Sequence, residues 1–196
     1  MSDCDCKVEV ESREQSRVLL VLLAINATMF VVEVITGVLA ESTGLIADSL
    51  DMLADATVYG IALYAVGKAA SAKTHAALAS GYFQMALALV VVSDVVRRAA
   101  FGSNPEPAYM MLIGLVALIA NVICLRLIAK HRDGGVHMRA SWIFSRNDVI
   151  ANAGVIIGGG LVYATGVRWP DLLIGVAIAL IVFRGGLAII ADARRV

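Results

Sequence analysis

Long apolar stretches alternate with short polar segments along the whole chain. An α-helix needs about 20 apolar residues to cross roughly 30 Å of hydrocarbon. Six stretches meet that requirement: Val18–Leu39, Leu45–Val66, Ala76–Val96, Ala108–Ile128, Ile143–Tyr163 and Leu172–Ile190. The pattern therefore predicts an all-α membrane protein, a bundle of about six transmembrane helices in a lipid bilayer.

Composition supports the membrane assignment. Hydrophobic residues make up 60% of the 196-residue chain and charged residues only 16%, with a mean hydropathy of +0.83, which is more apolar than a typical soluble domain. Residues 1–17 are acidic and polar and contain no apolar core of a secretory signal. We expect a cytoplasmic tail at 1–17, a membrane domain at 18–190 and a short cytoplasmic tail at 191–196.

The positions of lysine and arginine between the spans predict the orientation. With the N-terminus in the cytoplasm, most basic residues near the span ends fall on the inner side: Lys7, Arg13, Arg17, Lys68, Lys73, Lys130, Arg132, Arg139, Arg194 and Arg195. Only Arg97, Arg98 and Arg168 fall outside. We therefore expect both termini inside, in a bacterial-type inner or plasma membrane. The formal net charge of zero gives no attraction to nucleic acid.

The second apolar stretch carries Asp48, Asp51 and Asp55 within one stripe of a helix. Carboxylates are costly in lipid, so acidic residues in a membrane helix face the bundle interior and mark ion or proton pathways. The alternative for Asp51 and Asp55 is pairing with arginines such as Arg146 or hydrogen bonding between helices. For Asp48 we favour a structural role, accepting backbone hydrogen bonds near the helix start, over a proton relay.

The fifth apolar stretch repeats the spacing of the second. Asp148 and Asn152 are four residues apart, as are Asp51 and Asp55, and side chains at that spacing share a helix face. The sequence DMLADATV from Asp51 matches DVIANAGV from Asp148 at the polar positions and both alanines. If the two faces meet, four oxygen-bearing groups surround one cation. We predict all four as metal ligands, with an interhelical hydrogen bond as the alternative for Asn152.

These motifs together resemble the cation diffusion facilitator family, divalent-metal/proton antiporters with six membrane helices. The sequence ADSLDMLAD at 47–55 is similar to the family pattern A-D-x-x-[HD]-x-x-x-D, which implies Asp51 and Asp55 as ligands. Supporting matches are Asn26, Val32 and Glu33 in the first stretch, Trp142 before the fifth-helix motif, and WPDLLIG at 169–175. The resemblance covers most of the chain and implies a transporter without a resident cofactor.

The chain departs from the family pattern at one ligand position. In the fifth-helix pattern H-x-x-x-D the carboxylate aligns with Asp148, but the histidine position holds Phe144. Oxygen-only sites suit harder ions such as Mn²⁺, Mg²⁺ or Fe²⁺ better than Zn²⁺, which leaves the transported ion open among Zn, Mn, Fe, Co and Cd. We also expect a compact form that lacks the family's cytoplasmic domain after the sixth helix. A homodimer is left open.

The resemblance and the acidic residues predict efflux of a divalent cation. The cation would enter from the cytoplasm, displace protons from Asp51, Asp55 and Asp148, and leave on the other side by alternating access, because metal and protons compete for the same oxygens. The alternative is a degenerate family member that binds metal as a sensor or accessory membrane subunit. An enzyme is not expected, because no nucleophile, general base and orienting group appear together beside these acids.

Two smaller features remain. Cys4 and Cys6 form a Cys-x-Cys near the N-terminus, either a capture point for a soft cation or two free thiols. Asp171 follows Pro170 at the start of the sixth helix, where the helix dipole favours an acid, and we assign it a capping role there.

Overall fold

The computed structural model consists of helices joined by short connections. It describes residues 2–65, 70–130 and 136–194, apart from the side chains of 2–12, 15, 62, 65, 70–73, 76, 136–141, 143 and 144. The helices are α1 (Ser2–Leu39), α2 (Thr43–Ala65), α3 (Ala70–Phe101), α4 (Pro107–Ala129), α5 (Val136–Thr165) and α6 (Trp169–Ala193). No strand occurs in these ranges, which confirms the all-α prediction. The side chains of Cys4, Cys6 and Phe144 lie outside the described part.

The helices are longer than the apolar stretches that predicted them. α1 begins at Ser2 rather than Val18, and α5 begins at Val136 rather than Ile143. Hydrophobicity marks the part of a helix that lies in hydrocarbon, whereas backbone hydrogen bonding continues into the polar layer beyond it. Val66, the predicted end of the second span, lies outside the described residues.

One helix differs from the others in its charge. Among the described residues, five helices are long and apolar enough to cross a membrane, and α2 is not one of them. Every 18-residue stretch of α2 contains Asp48, Asp51 and Asp55. α2 contacts each of the other five helices, so protein rather than lipid surrounds its carboxylates. The bundle is thus built around its most polar helix.

The helices pack in three close pairs, α1 with α2, α4 with α5, and α3 with α6. The third pair joins helices that are distant in sequence, and two glycines allow it. A Cβ on Gly81 would lie 2.9 Å from the carbonyl oxygen of Gly186, and a Cβ on Gly186 would lie 2.7 Å from that of Gly81. A side chain at either position would collide with backbone, so the close crossing of α3 and α6 requires glycine at both.

The start of α2 is capped by a side chain of α6. The carboxylate of Asp171 accepts hydrogen bonds from Ser42 Oγ at 2.7 Å, from the Thr43 amide at 2.7 Å and from the Gly44 amide at 2.9 Å. All four residues are buried, and the two amides belong to the first turn, where a helix leaves its N–H groups unpaired. Asp171 also stands in the first turn of α6, as the sequence predicted, and its hydrogen bonds fasten α2 to α6.

Candidate metal centre

α2 and α5 bring three of the predicted ligands together. Asp51 and Asp55 on α2 and Asp148 on α5 each place a carboxylate oxygen within 4.8 Å of the other two. The three side chains are buried, with 9%, 3% and 6% of their surfaces exposed. Bonds from divalent cations to oxygen are about 2.0–2.6 Å long, so oxygens at this separation are able to share one ion. We call these residues the three-aspartate site.

The three-aspartate site forms part of the wall of a cavity of about 540 Å³. The cavity lies among α2, α3, α5 and α6 and extends to Asp192, near the end of α6. Its polar lining also includes Gln84 of α3 and Asn147 of α5. The end of α6 is the side that the basic residues predict as cytoplasmic, so the cavity would connect the aspartates with that side.

Sequence reasoning missed Gln84 and Asn147. Gln84 lies in an apolar stretch and is buried. A polar residue in a membrane helix usually faces the bundle interior, so the sequence alone could have identified Gln84. Asn147 precedes Asp148 directly, and adjacent helix residues point in different directions. Spacing alone therefore gave no reason to place it in the same cavity.

Asn152, the fourth predicted ligand, is hydrogen-bonded elsewhere. Its side-chain oxygen accepts a hydrogen bond from Asn121 Nδ2 at 2.8 Å, and its nitrogen donates to the carboxylate of Asp48. All three residues are buried, and their bonds join α4, α5 and α2. These bonds match the alternative for Asn152, an interhelical hydrogen bond. Its role as a metal ligand stays a prediction. Asp48 accepts its hydrogen bond from the side chain of Asn152 on α5, not from the backbone at the start of its own helix.

The arginine considered as a partner of the aspartates is not buried with them. Arg146 is exposed, while Asp51, Asp55 and Asp148 are buried. A second arginine, Arg184, lines the cavity and is exposed as well. These two arginines are therefore exposed, whereas the three aspartates are buried.

A tyrosine lies next to the three-aspartate site. The hydroxyl of Tyr59 donates a hydrogen bond to Asp55 Oδ2 at 3.2 Å and is also 3.2 Å from Ser145 Oγ. Tyr59 and Ser145 are both buried. Sequence reasoning missed Tyr59, although it follows Asp55 by four residues and so shares its helix face. Ser145 is the residue after Phe144.

Removing this hydroxyl is expected to weaken metal binding. In Tyr59→Phe the carboxylate of Asp55 loses a hydrogen bond that fixes its orientation, and the loss of such an outer partner typically lowers metal affinity by about 10- to 100-fold. Calorimetric titration of the purified chain with Cd²⁺ and Mn²⁺ measures the change. The matched control is Tyr163→Phe, because Tyr163 is exposed. Equal affinity in wild type and Tyr59→Phe would show that the hydroxyl does not support the site.

A helical bundle with buried carboxylates at its centre defines a multi-pass membrane protein with a candidate cation site. Residues 19–196 match the cation efflux transmembrane domain. The match covers most of the chain, and the chain belongs to this cation efflux family. The resemblance to the cation diffusion facilitators is thereby confirmed.

Curated relatives are longer than this chain. It is 26% identical over 176 residues to the metal cation efflux system protein CzcD of Cupriavidus metallidurans, a match that covers 84% of this chain and 56% of CzcD. It is 23% identical over 121 residues to the cadmium, cobalt and zinc/H(+)-K(+) antiporter of Bacillus subtilis, covering 60% of this chain and 38% of that protein. The chain thus spans about half the length of the relatives that it matches.

Proposed function

We propose that this protein exports divalent metal cations across a bacterial plasma membrane in exchange for protons. The observation that carries the proposal is the group of three buried carboxylates whose oxygens lie within 4.8 Å of one another, inside a membrane bundle. The names of the relatives support it, since CzcD is a metal cation efflux protein and the Bacillus subtilis protein is an antiporter of cadmium, cobalt and zinc.

Charge balance explains why metal and protons would exchange. Asp51, Asp55 and Asp148 carry three negative charges when ionised, and burying such charges without compensation is unfavourable. A divalent cation offsets two of the charges, and protons offset them when the metal is absent. Because both bind the same oxygens, metal binding releases protons and proton binding releases metal.

The cavity and the Asp171 bonds suggest how access would alternate. The cavity reaches from the aspartates to Asp192, at the predicted cytoplasmic end. At the opposite end the hydrogen bonds of Asp171 hold the starts of α2 and α6 together. We therefore interpret this arrangement as open to the cytoplasm and closed on the outer side. Transport would require the opposite arrangement as a second state.

The donor set bears on which ion is carried. Three carboxylates and water form an oxygen-only site, which favours Mn²⁺ or Fe²⁺ over ions that prefer nitrogen or sulfur. The Bacillus subtilis relative is instead an antiporter of cadmium, cobalt and zinc. We propose Mn²⁺ as the preferred ion among Zn, Mn, Fe, Co and Cd. Asn152 is left out of the proposed ligand set, because both ends of its amide are already hydrogen-bonded.

The second candidate function is a metal sensor or accessory membrane subunit. It is favoured by Phe144, since loss of the family's histidine ligand is what a member that no longer transports would show. The retained three-aspartate site fits both candidates, because a sensor also binds metal. Only movement of the ion separates them.

Transport in proteoliposomes tests the proposal. The purified chain is reconstituted with a trapped pH dye and a trapped metal indicator, and Mn²⁺, Zn²⁺, Cd²⁺, Co²⁺ and Fe²⁺ are added in turn beside protein-free vesicles. We expect metal uptake coupled to proton movement in the opposite direction. Metal binding without movement would support the sensor or accessory function, and absence of both binding and movement would contradict both candidates.

A further inference from the structure

A buried amide of α3 shares the cavity with the three-aspartate site. Gln84 is 3% exposed and lines the same cavity as Asp51, Asp55 and Asp148. Among the described residues of α3 it is the one that lines this cavity. Its amide has no hydrogen-bond partner among the described residues, although buried polar side chains normally have one. The ligands proposed so far leave this side chain without a role.

The lengths of α2 and α3 place Gln84 at the level of Asp51. Only four residues separate the two helices, which pack against each other, as in an antiparallel helix pair. Asp51 lies 14 residues before the end of α2, and Gln84 lies 14 residues after the start of α3. Because every helical residue adds the same rise, equal numbers of residues bring both side chains to the same level of the bundle. That level is where the cavity lies between them.

The crossing of α3 and α6 holds the base of the Gln84 side chain. A Cβ on Gly186 would lie 3.3 Å from the Cβ of Gln84, so Gln84 packs directly against the backbone of α6. Gly81, three residues earlier, allows the close approach of the two helices described above. The side chain is therefore fixed at its base, while its amide is free to bind a ligand.

The three-aspartate site has room for another protein ligand. Hard divalent cations bind about six or more oxygens, and three carboxylates supply only part of that number. α5 adds no fourth ligand from its own pattern, because Phe144 stands at the family's histidine position and the amide of Asn152 is hydrogen-bonded elsewhere. The carbonyl oxygen of a glutamine suits such a cation and adds no charge to the three carboxylates.

We propose that Gln84 is a fourth protein ligand of the divalent cation and helps to determine which ion is bound. Its carbonyl oxygen binds from α3, beside the three carboxylates and in place of a water molecule. A carbonyl oxygen suits Mn²⁺, whereas an imidazole in this position would suit Zn²⁺. The inference rests on the proposed function for the identity of the ion. The ligand itself rests on the burial, level and free amide of Gln84.

Exchanging the ligand atom tests whether Gln84 reaches the ion. Gln84→His puts a nitrogen at this position, and nitrogen suits Zn²⁺ better than an amide oxygen does. The full chain in nanodiscs is loaded with Co²⁺, whose visible absorption depends on its ligands. We expect the absorption bands to shift in Gln84→His, and the ratio of Zn²⁺ to Mn²⁺ affinity, from calorimetric titration, to rise. An unchanged spectrum together with an unchanged ratio would overturn the proposal.

Two further variants keep this test decisive. Phe83→His is the matched control, because Phe83 is the neighbouring residue of α3 and is exposed; its Co²⁺ spectrum should equal that of wild type. Gln84→Cys answers the same question if Gln84→His fails to fold, since a bound thiolate adds a sulfur-to-cobalt charge-transfer band that wild type lacks. Absence of that band in folded Gln84→Cys with Co²⁺ bound would overturn the proposal.

Removing the ligand tests its contribution to affinity. Gln84→Leu keeps a side chain of similar size without an oxygen. Loss of a partner outside the ligand shell lowers metal affinity by about 10- to 100-fold, so loss of this ligand should lower Mn²⁺ affinity by at least about 10-fold. Equal Mn²⁺ affinity in wild type and Gln84→Leu would contradict the proposal. A loss in Gln84→Leu with an unchanged Co²⁺ spectrum in Gln84→His would mean that the amide orients an aspartate, and would also overturn it.

Binding and movement of the ion are measured separately, so the two proposals fail in different ways. Wild type that transports metal while all Gln84 variants bind like wild type keeps the proposed function and overturns the fourth ligand. Wild type that binds metal with the expected Gln84 effects but does not move it in proteoliposomes keeps the ligand and excludes export. Wild type that binds no divalent cation overturns both.

Discussion

Replacing Asp51 and Asp55 together with asparagine is expected to abolish metal-coupled proton flux. The double variant keeps the size of both side chains but removes two of the three negative charges of the three-aspartate site. Loss of a partner outside the ligand shell already lowers metal affinity by about 10- to 100-fold, so loss of two ligands should lower it by at least about 100-fold. Flux in proteoliposomes and calorimetric titration with Mn²⁺ and Cd²⁺ measure the two effects.

Asp192→Asn provides the matched comparison. Asp192 lines the same cavity but lies near the end of α6, outside the group of three carboxylates. This variant removes one negative charge, whereas the double variant removes two, and its metal affinity should stay within a few-fold of wild type. Equal losses in both proteins would mean that the cavity attracts cations by its overall charge. Unchanged flux in the double variant would exclude the three aspartates as the transport site.

Replacing Asp171 with alanine is expected to destabilise the bundle strongly. The substitution removes three hydrogen bonds and leaves the amides of Thr43 and Gly44 buried without an acceptor. Each such group costs about 1–3 kcal/mol, so a total loss of about 2 kcal/mol or more is expected. The fraction of monodisperse protein that survives a series of heating steps, followed by size-exclusion chromatography, reports the change.

Asp171→Asn separates the hydrogen bonds from the charge. The amide keeps one acceptor oxygen, so this variant should fall between wild type and Asp171→Ala in thermal stability. Neither variant touches the three aspartates, and protein that remains folded should bind Cd²⁺ with nearly unchanged affinity. Equal thermal stability of all three proteins would show that the contact between α2 and α6 contributes little.

The sequence was a good guide where a feature depends on neighbouring residues. The hydrophobic pattern predicted every helix, because membrane insertion is decided by stretches of about 20 residues. The i, i+4 spacing placed Asp51 with Asp55 on one helix face for the same local reason. The approach of Asp148 to that pair followed from the repeated motif and the family resemblance together. Only the structure gives the distance between Asp148 and the other two aspartates.

Contacts between distant residues could not be predicted in this way. Asp171 was assigned to its own helix because the dipole argument is local, whereas its hydrogen bonds reach 127 to 129 residues back along the chain. Asn152 was grouped with Asp148 by spacing, yet its amide is hydrogen-bonded to Asn121 of α4 and Asp48 of α2. The glycine crossing of α3 and α6 is likewise a tertiary property, since Gly81 and Gly186 lie in different apolar stretches.

The size of the cavity affects how the protein would select among ions. A volume of about 540 Å³ has room for on the order of ten to twenty water molecules, so an ion can approach the aspartates with its hydration shell intact. Water would be removed only at the three carboxylates themselves. An ion such as Mg²⁺, which gives up its waters reluctantly, would then enter as easily as Mn²⁺ and yet not be held. Discrimination would rest on the energy of dehydration rather than on the width of the entrance.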